Sequence, residues 1–129
     1  MKPVYQTLFG EPHGNCLQAA VASMLDLELN EVPNFMEADG DAWFDALTDF
    51  LSEHGLYALR LNAAPHCVPH GYHLMSGPSP RGPFWHELVG YRGKAVHDPY
   101  PGGECRLETV EEYMVFVALL NGGQAELAI

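Results

Sequence analysis

Apolar residues recur at helical spacing from Cys16 onward, with Leu17, Ala20, Val21, Met24 and Leu25 on one face. Asn15 stands just before them, a residue type favoured at helix N-caps, and the alanines raise helix propensity. A helix is therefore predicted from Cys16 to about Leu25–Leu27. Asn30-Glu31-Val32-Pro33 reads as a short turn that returns Val32 to the core. A second helix is predicted from near Asp41, with Trp43, Phe44, Leu47, Phe50 and Leu51 on its apolar face. His54-Gly55 ends it, because glycine takes the left-handed C-terminal position at little cost.

Beyond Gly55 the period changes to two. Leu56–Asn62 reads as a strand and Tyr72–Ser76 as a second. His86–Tyr91 and Lys94–Asp98 make a third and fourth, joined through Arg92-Gly93 as a tight hairpin. Between them, Gly77–Pro83 reads as a surface loop. Thr109 with Glu112 matches a capping box, while the β-branched and aromatic run Tyr113–Val117 favours a final strand over a long helix. Helices followed by an antiparallel sheet give an α+β domain, one domain over residues 1–129.

The charge narrows the partners. Six basic residues against seventeen acidic ones give a net charge of −11. Nucleic acid is a poor partner, since phosphate contacts need Lys and Arg clusters. The acidic surface suits a peptide or protein substrate, a basic one in particular, although many soluble proteins are simply acidic. No apolar run is long enough for a membrane span, and the first residues do not read as a signal peptide, so a cytoplasmic protein is expected. Three unpaired cysteines, Cys16, Cys67 and Cys105, fit reduced thiols.

Cys16 is the residue that suggests chemistry. A thiol is a useful nucleophile as thiolate, with a free pKa of ~8.5, and the N–H groups at a helix N-terminus favour that charge. On this reading Cys16 is held as a thiolate; a buried cysteine acting as a small apolar residue is the competing reading. A two-residue turn at Arg92-Gly93 pairs Tyr91 with Lys94, setting His86 opposite Pro99 and diagonal to Asp98. A carboxylate there would fix the imidazole's tautomer and stabilise its charged form, unless the two are unrelated surface residues. Gln6 is a further candidate, as an oxyanion donor or as a solvated polar residue.

Gln6, then Gly14-Asn15-Cys16-Leu17-Gln18-Ala19-Ala20, His86-Glu87-Leu88-Val89 and His97-Asp98-Pro99 together resemble the papain-like cysteine peptidases, in particular their C39-like branch. The resemblance spans residues 6 to about 99 and keeps the order Gln, Cys, His, Asp. It implies a papain-like fold and a cysteine hydrolase or acyl transferase acting on an amide or peptide-type bond. Cys16 would attack, His86 accept its proton, Asp98 orient His86, and Gln6 help form the oxyanion hole. No cofactor is expected.

Two other readings compete. One is a catalytically inactive binding module that keeps the fold. The other is a small metal-binding domain using His66, Cys67, His70 and His73; Pro65 and Pro69 interrupt that segment and no second ligand pair closes a tetrahedral site, so no metal is expected. His97 is expected to be structural or at the rim, His13 to line the cleft, and Cys105 to lie in a Gly-rich loop without a partner.

Overall fold

The computed structural model describes residues 1–10, 13–119 and 125–127. Helix α1 spans Cys16–Leu25 and α2 spans Trp43–Glu53. The strands are β1 (Leu56–Asn62), β2 (Tyr72–Pro78), β3 (Trp85–Tyr91), β4 (Lys94–His97), β5 (Glu112–Leu119) and β6 (Ala125–Leu127). The α+β expectation is met.

The sheet is antiparallel, in the order β1-β5-β2-β3-β4, with β6 pairing the end of β5. Strand β5 thus enters between β1 and β2, although it comes last but one in the chain.

Helix α1 buries seven of its ten residues and β3 packs along it, which is why alanines suit it. Helix α2 is amphipathic, burying Leu47, Phe50 and Leu51. The main core lies between these helices and one face of the sheet, where Leu74, Val89, Met114 and Phe116 meet Leu17, Val21, Met24 and Leu51. Met75, Leu88, Leu107 and Tyr113 form a smaller cluster on the other face. Val32 returns to the core after a 3-10 turn at Leu29–Glu31, as the sequence suggests.

Several expectations are corrected. Residues 77 and 78 are strand, not loop: β2 runs on through Gly77, which pairs with His86. Glycine is required there because a Cβ would strike the Thr109 carbonyl. The Thr109/Glu112 pattern caps no helix; Thr109 Oγ1 donates to Glu111 instead, and Glu112 opens β5. Asn15 occupies the N-cap position of α1, but its side chain makes no cap hydrogen bond, being used elsewhere.

Candidate active site

Gln6 reaches the head of α1 through a set of ties on the N-terminal segment. Val4 N–H donates to Ser23 Oγ at 2.9 Å, and Val4 C=O pairs with His97 Nε2 at 2.7 Å. Gln6 N–H donates to the Pro99 carbonyl at 2.9 Å. Asn15, buried at 2% exposure, accepts from the N–H groups of Thr7 (2.9 Å) and Leu8 (2.8 Å) on Oδ1. Its Nδ2 donates to Thr7 Oγ1 and Gln18 Oε1, each at 3.1 Å. The residue before the cysteine therefore fastens the strap that carries Gln6. His97 is structural, as expected, and also stacks edge-on against Tyr5. His13 does not line the cleft; its ring turns to the Met36 carbonyl.

The β3–β4 hairpin supplies the second wall. Tyr91 pairs with Lys94 and Gly90 with Ala95, but a bulge follows, so Val89 pairs with His97. The extra residue, Val96, changes the geometry from that of a regular hairpin. Carried on, the new register sets Asp98 beside Leu88, on the same side of the ribbon as His86. A regular hairpin would have turned Asp98 to the opposite side. The result is a 2.8 Å hydrogen bond from His86 Nε2 to Asp98 Oδ1, with both side chains buried.

Asp98 is held from several directions. The N–H of Tyr100 donates to Oδ1 at 2.9 Å and that of Cys105 to Oδ2 at 3.1 Å. Cys105 thus contributes its backbone, which the sequence gives no sign of. Burial works to raise the Asp98 pKa, but the bond from His86, these two N–H groups and electrostatic attraction to the His86 ring outweigh it and hold the carboxyl below its usual range. Arg81 closes over the pair. Its guanidinium stacks 3.6 Å above the Tyr100 ring, with Nη1 3.9 Å from Asp98 Oδ2 and Nη2 3.4 Å from His86 Nε2. Since the Nε2 proton is committed to Asp98, the last contact sets a cation against the ring edge.

Gln6, Cys16 and His86 line one cleft of about 310 Å³, walled also by Phe9, Trp43, Phe84 and Trp85. Gln6 Nε2 gives one hydrogen to the Leu8 carbonyl at 3.0 Å, leaving a second. Among the described residues no hydrogen bond joins Cys16 to His86; His86 Nδ1 is the ring nitrogen not committed to Asp98.

The thiol departs from the thiolate expectation. Burial pushes Cys16 up to about 12, with Glu87 and then Asp98 adding negative potential and the N–H groups of Glu87 and Leu17 opposing it. Glu87 is itself pushed well above the carboxylate range, by burial first and by Glu112 second, with Arg60 opposing. Its protonated form is thereby favoured, which weakens its effect on the thiol. Burial still dominates, so the helix terminus alone does not make a resting thiolate.

The histidine cluster behaves differently from a metal site. Buried His73 accepts from the Gly93 N–H on Nε2 at 3.0 Å, and its Nδ1 faces the Leu74 carbonyl, so both nitrogens are committed. Burial lowers its pKa, and the neutral ring locks the Arg92-Gly93 turn onto β2. Among the described residues no three His, Cys, Asp or Glu side chains are grouped to hold an ion. No described helix is long and apolar enough to cross a membrane. No family model, curated protein or solved structure matches the chain.

Proposed function

We propose that this chain is a cysteine-dependent hydrolase or acyl transferase of papain-like, C39-like kind, acting on an amide or peptide-type bond. One observation carries the reading: a single cleft holds a cysteine at a helix start, a histidine hydrogen-bonded at 2.8 Å to a buried carboxylate, and a buried glutamine amide. Random burial does not assemble these three groups around one opening.

The chemistry follows from the protonation states. Cys16 rests as a thiol, so His86 acts as general base, taking its proton on Nδ1 as sulfur attacks the carbonyl. Asp98, ionised at neutral pH, stabilises the imidazolium that forms. The free hydrogen of Gln6 Nε2 and the backbone N–H of Cys16 receive the developing oxyanion. His86 then returns the proton to the departing amine, leaving a thioester on Cys16, and water or an amine resolves it.

Two reagents test this together. A peptide-like electrophile, an acyloxymethyl ketone, should label Cys16 in preference to Cys67 and Cys105, and His86→Ala should abolish the preference. Iodoacetamide, which gains nothing from the cleft, should label Cys16 at a rate that climbs with pH without a plateau below pH 8. Equal labelling of all three cysteines by the ketone, indifferent to His86→Ala, would favour the non-catalytic binding module. A plateau in the acid range would replace the resting thiol with a preformed ion pair.

A further inference from the structure

One wall of the cleft carries an acid that the chemistry above does not use. The register places Asn62, Glu112, Ser76 and Glu87 side by side across β1, β5, β2 and β3. In strand alternation this row shares the face of Val89 and Leu74, the face that meets the helices. Arg60, two residues from Asn62 on that face, grips Glu112 with one edge of its guanidinium, Nε to Oε1 and Nη2 to Oε2, each at 3.0 Å. Arg60 is fixed in turn against the rings of Trp43 and Phe44, at 5.1 and 5.2 Å. Glu112 is thereby matched.

Glu87 is not. Only 8% of it is exposed, it forms part of the cleft wall, and its Oε2 is buried without a hydrogen-bond partner. The row and the neighbouring Arg60 together hold two acids and one cation, and that cation is engaged with Glu112. Buried carboxyls are ordinarily paired or fully hydrogen-bonded, and an orphaned one beside an open cleft marks a place where a partner is supplied from outside.

We propose that Glu87 reads a cationic side chain of the substrate, a guanidinium or ammonium group, in a subsite next to Cys16 formed with Trp43, Trp85, Arg60 and Glu112. This rests on the reading of the cleft as a substrate site and names the substrate class. The aromatic walls suit a cation as they already suit Arg60, since ring faces attract positive charge. Facing Glu87 are Cys16 from α1, Arg60 from β1 and Glu112 from β5. Arg60 makes no hydrogen bond to Glu87; its Nε and Nη2 are spent on Glu112. A bound cation favours the ionised carboxylate of Glu87.

The two tryptophans of the chain both line this cleft, so their fluorescence reports occupancy. The test titrates Nα-acetyl-arginine methylamide against its neutral citrulline isostere, which has nearly the same shape without the charge. The arginine compound should bind about tenfold more tightly or better, the scale of a charge-assisted hydrogen bond. Cys16→Ala should keep that preference, and Glu87→Gln should reduce it to within about twofold. Equal affinity for the two compounds, or binding of neither, overturns the subsite without needing any variant. A preference that survives Glu87→Gln overturns the assignment to Glu87. If the arginine preference holds while the ketone fails to label Cys16, the subsite stands and the hydrolase reading falls.

Discussion

Replacing Asn15 with Ala should damage the site without touching any group placed in the chemistry. Four hydrogen bonds are lost, from the Thr7 and Leu8 N–H groups, to Thr7 Oγ1 and to Gln18 Oε1. At about 0.5–1.5 kcal/mol net for each bond, the range is roughly 2–6 kcal/mol. Thr7 and Leu8 are exposed residues whose N–H groups regain water, so the lower half applies, and about 3 kcal/mol is expected. Asn15→Asp keeps the acceptor for both N–H groups and loses only the two donors, so it should cost about 1–2 kcal/mol. Urea denaturation gives both values, and the slope shows whether the transition stays two-state. Since Thr7 and Leu8 follow Gln6 directly, Asn15→Ala should also slow ketone labelling of Cys16 more than Asn15→Asp does. A loss under about 1 kcal/mol with unchanged labelling would refute the strap as the means by which Gln6 is placed.

Asp98→Asn should lower the rate of Cys16 acylation by about 10²–10⁴-fold, because the amide no longer stabilises the imidazolium. It is a cleaner change than Asp98→Ala, which also strips the acceptor from the Tyr100 and Cys105 N–H groups. An unchanged rate would make Asp98 purely structural. Glu87→Gln should raise stability at pH 7 relative to wild type, with the gain shrinking as pH falls toward 4. The folded carboxyl has its pKa raised, so the native state holds a proton that the unfolded chain has lost above its ordinary value of ~4.3. Stability from this group is therefore present at low pH and lost as pH rises; a gain independent of pH would contradict this protonation state.

Local signals carried much of the fold. The period-two run at Leu56–Asn62 delivers β1 with its observed bounds, and the helical spacing after Asn15 delivers α1 with Cys16 at its first position. His54-Gly55 ends α2 as expected, with Gly55 at φ +70. Where the reading failed, a distant partner decided. Gly77 looks like a loop residue because its reason for being glycine is the Thr109 carbonyl, 32 residues away in sequence. Thr109 and Glu112 match a helix cap locally, but the open position between β1 and β2 claims Glu112 for β5. Asn15 has the chemistry of a cap, yet the Thr7 and Leu8 N–H groups engage its oxygen.

At the site, the order Gln6, Cys16, His86, Asp98 was legible, while the groups around them were not. Arg81 sits in a Pro/Gly-rich segment with no motif to mark it, and its stacking on Tyr100 depends on how two loops meet. Glu87 looks like the outward residue of a strand beside His86. Its burial follows only from the helices covering that face of β3.

The bulge at Val96 has a consequence for how such a chain could lose the proposed chemistry over generations. Val96 is an exposed residue in a hairpin, the kind of position where a one-codon insertion is expected to leave folding largely intact. An added residue that pairs in the ladder would set Asp98 opposite Glu87 and rotate it away from His86, with every residue of the quartet still spelled out in order. An inventory of site residues would score that descendant as an intact enzyme. Spacing between His86 and Asp98, read together with the bulge, is the better marker of which descendants have kept the proposed pairing.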